Sequence, residues 1–458
     1  MTVPDHPFTL EARRYLAARP DTETVDLLIA DANGILRGKR VTAHNLDELA
    51  GEGVCLPPSS LYVDITGSTA EATGLGFDIG DLDLMCRPVP GSLKPVLWQP
   101  RPSAQLLLAM FNEDGSPFAA NPREVLKQVL ARLRARGLRP VVAVELEFYL
   151  MDAARDADDR PQAPISPATG ERDRTTQVYG IAELDSYRDF IRDINKACAA
   201  QDLPAYTAVA EYAPGQFEIN LKYRDDAVQA CDDAIYLKRL VKGVAERHGM
   251  VATFMAKPYP QHAGSGTHVH VSLLNDDGVN VLVDDHDQLT PVMLAAIAGL
   301  QQFMAGSMLL LAPHANSYRR FVEDAFVPLS PCWGHNNRTV ALRIPAGPRH
   351  ATRIEHRVAG ADANPYLVVA AILAGIDYGL ARKLSPTART TGNAYLQQRR
   401  ILPRYWNTAI DAFNAHEGLR DYLGKTFCNA YLALKHAELE AFQRHVSHLE
   451  LDWYWRSM

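Results

Sequence analysis

The sequence predicts an α+β protein in two unequal parts, a small mixed sheet followed by a larger sheet flanked by helices. Three observations carry this. Short strand-like runs and turn residues crowd the stretch before residue 110. Beyond it, strand-like runs alternate irregularly with segments of helical periodicity. The run Val141–Leu150 is β-branched, aromatic or aliphatic except at two glutamates, which marks a central strand.

In order, residues 1–20 read as a short helical lead-in, polar and without the apolar stretch of a secretory leader. Val25–Ala30 and Ile35–Val41 are strand-like and meet at Asp31-Ala32-Asn33-Gly34, where Asn-Gly signals a hairpin. A turn-rich segment, Cys55–Gly80, precedes a strand over Trp98–Phe111. This places a first domain at 1–110 and a second at 111–458. The second opens on a helix start, with Asn121 as cap, Pro122 in the first position and Glu124 in the first turn, running to Gly137. Asp152–Gln177 is charged and proline-bearing, hence a surface loop. Helical periodicity marks Asp185–Gln201, Asp225–His248, Pro291–Leu311 and Asn364–Lys383, and the last hundred residues are mostly helical. Strands are expected at Glu211–Leu221, Val251–Ala256, Gly266–Leu274, Arg338–Ile344 and Ala351–Val358.

Composition excludes several classes. With 458 residues, 47% hydrophobic and 22% charged, the chain can bury a large core. A net charge of −7 argues against nucleic acid as the main partner. Six cysteines without a CxxC pair read as reduced thiols of a cytoplasmic protein, not a zinc site or disulfide framework. Val292–Leu311 contains Gln301 and Gln302, which suits a buried helix better than a membrane span.

Candidate chemistry begins with the central strand. Glu145 and Glu147 point to one face, roughly 7 Å apart at about 3.3 Å per residue, while Val144, Leu146 and Phe148 take the other. Two such carboxylates repel and desolvate one another unless a cation sits between them, and hard divalent ions would serve. A half-exposed strand with a polar outer face is the plainer alternative. Glu211 and Glu218 flank a Pro-Gly turn that lets both side chains converge. The glycine-bearing stretch from His262 to Ser272 puts His268, His270 and Ser272 on one strand face, where loop amides could cradle an anion and a histidine ligate a metal. Arg353, Glu355 and Arg357 share a face, and Arg319, Arg320, Arg338 and Arg343 add more cations than one structural network needs. Guanidinium forks suit phosphate and carboxylate. Acids for two cations together with arginines for anions suit phosphoryl transfer from a nucleotide. Neither a P-loop nor a kinase catalytic-loop signature is present.

These motifs, in order VELEF, EYAPGQFEI, GSGTHVHVSL, NSYRR, NRTVALRIP and RIEHRVAGADANPYL, resemble the glutamine synthetase superfamily over nearly the whole chain. The resemblance implies an N-terminal β-grasp domain and a catalytic domain with a curved antiparallel sheet. It also implies a homo-oligomer, a dodecamer of two hexameric rings with each site completed by a neighbour's N-terminal domain. The implied reaction converts glutamate to γ-glutamyl phosphate with ATP, after which an amine nitrogen displaces phosphate. Two or more Mg²⁺ (or Mn²⁺) ions per site are implied. Motif by motif, Glu147, Glu211 and Glu218 would hold one metal, and Glu145, His268 and Glu355 the other. Arg343 and Arg353 match phosphate-binding arginines, Arg338 the one that steadies the transferred phosphoryl group, and Arg320 and Arg357 those gripping glutamate. Gly264 would line the glutamate pocket, and His270 and Ser272 would lie on the nucleotide side. Glu147, Arg338 and Arg320 are thus the expected catalytic set.

The departures bear on the substrate. Where glutamine synthetases carry an ammonium-binding aspartate, this sequence has Pro57, and by ungapped counting Phe326 stands where their flap glutamate closes the ammonium site. Neither attracts a small cation by charge, which favours an amine with a carbon chain over ammonium. Ala263 replaces a glutamate-binding asparagine, and the adenylylation-site tyrosine motif is absent. With the DANGILRGKRV stretch, these features resemble the branch of γ-glutamylputrescine, γ-glutamylpolyamine and γ-glutamylmonoamine synthetases of amine catabolism. Asp64, Glu71 and Asp78 are candidates for holding a polyamine's second ammonium. An ammonia-using glutamine synthetase and a non-catalytic nucleotide- or amine-binding relative are the alternatives.

Overall fold

A long central strand, Arg139–Asp152, organises the larger part of the molecule. Its side chains alternate, with Val142, Val144, Leu146 and Phe148 buried and Ala143, Glu145 and Glu147 half-buried on the other face. On the buried face Phe148 packs among Phe190, Phe217 and Phe254, ring centroids 5.6–6.4 Å away. The computed structural model describes residues 7–397 and 399–458, so residues 1–6 of the expected lead-in lie outside the described residues.

The first sheet has six strands: β1 (Thr24–Ala30), β2 (Leu36–Thr42), β3 (Val54–Leu56), β4 (Leu84–Pro88), β5 (Lys94–Val96) and β6 (Ser103–Phe111). The order is β2-β1-β6-β4-β3 with β5 also on β6, and β1–β6 is parallel in an otherwise antiparallel sheet. The hairpin turn between β1 and β2 is fastened by Asp31, whose carboxylate accepts from the Asn33 and Ile35 amides and from Arg37 Nε. The same turn meets the helix Lys425–Arg444. Buried Lys435 donates to Asn33 Oδ1 and to Glu438, and Asn33 donates to Glu438.

The second sheet has eight strands: β7 (Arg139–Asp152), β8 (Ala205–Ala210), β9 (Gln216–Leu221), β10 (Met250–Thr253), β11 (Thr267–Leu274), β12 (Trp333–His335), β13 (Leu342–Ile344) and β14 (Ile354–His356). Its order is β12-β13-β14-β11-β7-β9-β8. Along one edge β7 pairs first with β11 and then with β10. One pair, β12–β13, is parallel, a departure from the all-antiparallel expectation. Helices Pro291–Leu311 and Pro365–Arg382 are long and apolar enough to cross a membrane, yet each has an 18-residue window 78% buried inside the protein. They pack on one another as core helices.

Several element boundaries differ from expectation for local reasons. The helix foreseen over Asp185–Gln201 is two helices, Ile181–Ser186 and Arg188–Ala200, parted at Tyr187. Tyr187 is buried and donates to Asp173, which fixes the break. Residues Trp98–Pro102 and Arg338–Ala341 are not strand. In the latter, Asn337 Oδ1 accepts from the Thr339 amide and hydroxyl and turns the chain. Glu211–Gly215 is the hairpin turn itself, and its first strand is β8, which the sequence reading missed. Gly215 (φ 73) is required there, because a Cβ would lie 2.7 Å from the Leu150 carbonyl oxygen.

Candidate active site

Register brings the charged groups together. Across β7 and β11, Glu145 faces His268, and across β7 and β9, Glu147 faces Glu218. One strand further, His270 pairs with Glu355 and Glu355 with Arg343. The exposed ends of these side chains line a cleft of about 720 Å³. It is walled by Glu145, Glu147, Glu211, Glu218, His268, His270, Glu355, Gly264, Arg320, Arg338, Arg343, Arg353 and Arg357. Ser272 is the exception among the expected residues. It pairs with Val141 towards the end of β11, beyond the cleft, and its hydroxyl donates to the Thr352 carbonyl.

Two constellations within the cleft fit a divalent cation. The carboxylate and imidazole ligand atoms of Glu145, His268 and Glu355 lie within 4.8 Å of one another, as do those of Glu147, Glu218 and His268. Glu211 lines the same cleft outside both groups. The acids fall into two electrostatic classes. Burial pushes Glu145 upward, but hydrogen bonds with His268 (3.1 Å) and His270 (2.9 Å) outweigh it and hold the carboxyl well below its usual range. Glu355 is likewise raised by burial and brought down to about 2, first by Arg357 and then by the histidines and Arg343. Glu211 and Glu218 have weaker compensation, from Arg338 and the Tyr212 amide at the first and from Asn220 at the second. Burial first, then repulsion from Glu147 and Glu145 respectively, pushes them up to about 8 and about 9. A bound cation would relieve that repulsion and hold both groups as carboxylates. Two oxygen-rich groups sharing one imidazole are a donor set suited to Mg²⁺ or Mn²⁺.

The histidines are oriented by their neighbours. Arg353 Nε donates to His270 Nδ1 at 3.1 Å, so the proton of His270 sits on Nε2 and faces Glu145. Arg343 and Arg357 both donate to Glu355. Arg338 is exposed and donates to the Tyr179 hydroxyl at 2.8 Å. Arg320 is only 2% exposed, with one nitrogen donating to the Val358 carbonyl. The Nε atoms of Arg320, Arg343 and Arg357 are buried without a partner among the described residues. A buried guanidinium nitrogen without a partner is costly, and a cleft lined by such arginines suits an anionic ligand.

Backbone closure around Arg320 depends on Gly264, where a Cβ would lie 2.5 Å from Arg320 Cγ and 2.8 Å from the Ala256 carbonyl oxygen. The loop carrying Gly264 is tied down by Tyr149, donating to the Ala263 carbonyl, and by Gln216, donating to Gly264. The glutamate-strand amide partner is Gly266, whose N–H donates to Glu147 at 2.7 Å.

Sequence reasoning missed Tyr179, Tyr212, Gln216, Asn220, Lys257 and Asp324, all on the cleft wall. Tyr179, Tyr212, Lys257 and Asp324 stand in loops, where no periodicity marks a face. Gln216 and Asn220 were legible in principle, since they share the Glu218 face of β9 at spacing two.

Comparison with known proteins agrees with this geometry. Residues 119–454 match the family described as glutamine synthetase, catalytic domain. The gamma-glutamylputrescine synthetase PuuA of Escherichia coli (strain K12) is 48% identical over 446 residues, covering 97% of this chain and 94% of that protein. The gamma-glutamylethanolamide synthetase GlnA4 of Streptomyces coelicolor is 32% identical, covering 97% and 95%. A solved structure described as a GmaS/ADP complex superposes with a TM-score of 0.83 at 29% identity, covering 98% and 99%.

Proposed function

The chain belongs to the glutamine synthetase family, and we propose on that premise that its cleft joins the γ-carboxylate of glutamate to an organic amine at the expense of ATP. It is an ATP-dependent glutamate–amine ligase, in line with the relatives named gamma-glutamylputrescine synthetase and gamma-glutamylethanolamide synthetase. The observation that carries the reading is the meeting, in one cleft, of buried acids that crowd one another with arginines whose buried Nε atoms lack partners among the described residues. The first suits cations that accompany a nucleotide; the second suits the carboxylates and phosphates of substrates.

In this reading Glu145, His268 and Glu355 hold one divalent cation and Glu147, Glu218 and Glu211 the other, as Mg²⁺ or Mn²⁺. When bound, such ions offset phosphate charge and make the terminal phosphorus more electrophilic. Arg320 and Arg357, both on the cleft wall, grip glutamate, and Gly264 leaves room for the Arg320 side chain. Arg343 and Arg353, with His270 oriented by Arg353, face the nucleotide phosphates. Arg338, steadied by Tyr179, follows the phosphoryl group as it passes to the γ-carboxylate. The resulting acyl phosphate is attacked at its carbonyl carbon by the amine nitrogen. Phosphate leaves, an amide forms, and the nitrogen sheds a proton. Ser272, expected on the nucleotide side, lies beyond the cleft with its hydroxyl donating to the Thr352 carbonyl.

Residues 1–110 serve as the N-terminal domain and 111–458 as the catalytic domain of a cytoplasmic dodecamer of two hexameric rings, acting in amine catabolism. Phosphate release with glutamate, ATP and a panel of amines tests the assignment. Organic amines should outperform ammonium; ammonium outperforming every organic amine would overturn it.

A further inference from the structure

The cleft contains one acid and two rings that the metals, nucleotide and glutamate leave unused. Tyr212 and Phe326 lie with ring centroids 6.0 Å apart and planes tilted by 35°, roughly half-exposed on the cleft wall. Tyr212 directly follows Glu211, and Phe326 comes two residues after Asp324. Asp324 also lines the cleft, is exposed, and has no hydrogen-bond or ion-pair partner among the described residues. The paired rings thus bring together, on one cleft wall, the segment carrying Glu211 of the reaction centre and the segment carrying a second, free carboxylate.

The loop holding Asp324 and Phe326 is built rather than slack. Both residues have left-handed backbone conformations, φ 58 and φ 53, which is a genuine outlier for a residue as bulky as phenylalanine. Such strain persists only where the surroundings impose it, and it gathers at binding sites. The surroundings here are visible. Arg400 donates to the Phe321 carbonyl and Tyr395 to the Val327 carbonyl, pinning the loop on both sides of Asp324.

Resting on the ligase reading, we propose that Asp324 receives the distal ammonium of an α,ω-diamine whose methylene chain lies across Tyr212 and Phe326. A diamine needs this arrangement. Its reacting end must be the free base to attack, while the other end stays protonated at neutral pH and needs a counter-charge. The methylenes between need an apolar surface, and aromatic faces also attract the cation itself. A monoamine would need no carboxylate at this place. The acids of the small sheet do not supply it from the same chain. Asp64 accepts from the Thr66 amide and hydroxyl and from the Ser68 amide, and Glu71 accepts from the Phe77 amide, so each is occupied by its own turn. Neither these nor Asp78 line the cleft.

The test compares putrescine with n-butylamine, which has the same carbon chain and one amino group, in wild type and in Asp324→Asn. Asparagine keeps the shape and tolerates the left-handed backbone. Wild type should prefer putrescine. The variant should lose roughly 10- to 100-fold in kcat/KM for putrescine, mostly through KM, as expected for a lost charge-assisted hydrogen bond. Its kcat/KM for n-butylamine should stay within about twofold, with KM for glutamate and ATP and the melting temperature unchanged. Equal losses on both amines, or none on either, would overturn the anchor while leaving the ligase reading intact. A wild type that consumes ATP with neither amine would instead overturn the ligase reading, and the anchor with it.

Discussion

Stripping the protein of divalent cations and adding Mg²⁺ back should release close to two protons per site at pH 7. The cause lies in Glu211 and Glu218, which burial and neighbouring carboxylates push up to about 8 and about 9. A group of pKa about 8 is about 90% protonated at pH 7, and one of about 9 about 99%. The two titrate as a pair, so it is their joint content that is fixed, about 1.9 protons. A cation binds them as carboxylates, so those protons leave on binding. At pH 9.5 the same pair holds only about 0.3 proton, and the release should shrink accordingly. Titration calorimetry of Mg²⁺ into chelator-treated protein, in two buffers of different ionisation enthalpy, reads the proton count from the difference in heat. Glu218→Gln removes one titrating acid and relieves Glu211 of a neighbour, so it should release fewer than about 0.9 proton at pH 7. Fewer than about 0.3 proton from the unmutated protein at pH 7 would refute the reasoning. The same linkage governs stability. Both acids lie above the ordinary glutamate value of 4.5, so the stability that their protonation supports is complete below that pH and is lost as pH rises through 8 and 9. The melting temperature of metal-free protein should fall from pH 6 to 9, and saturating Mg²⁺ should flatten the decline.

Further expectations concern other parts of the molecule. Gly264→Ala drives a Cβ into Arg320 and should raise KM for glutamate by about tenfold or more, with the far-ultraviolet circular dichroism unchanged; an unaltered KM would contradict the placement of Arg320. Lys435→Met leaves the Glu438 carboxylate buried without its cation and should cost roughly 3–5 kcal/mol in denaturant unfolding, whereas pairing it with Glu438→Leu should recover most of the loss. With proline and phenylalanine at the positions expected to carry acids, the free-base fraction of the amine should limit turnover. Activity should then climb from pH 7 towards 9.5, and a flat profile would count against it.

Much of this architecture was legible before any coordinates. Period-two alternation assigned Glu145 and Glu147 to one face of β7 and His268 and His270 to one face of β11, and pairing register then set them against each other. Alternation gives a face but not a distance along the strand, which is why Ser272 shares that face and still lies beyond the cleft. Ala205–Ala210 escaped notice because alanine is a weak strand former, and the strand exists through its pairing with β9. Tyr179, Tyr212 and Asp324 owe their positions to turns, whose end point in space follows from packing rather than local pattern. Arg338 was foreseen as a phosphate contact and as part of a strand; it faces the cleft, but from a turn closed by Asn337.

The chemistry assigned to the cleft can be followed atom by atom. Glutamate labelled with ¹⁸O in both γ-carboxylate oxygens, turned over with ATP and putrescine, should yield phosphate carrying one labelled oxygen for every amide formed, since that oxygen bridges carbon and phosphorus in the acyl phosphate. Amide formation with no label in the phosphate would contradict transfer through γ-glutamyl phosphate.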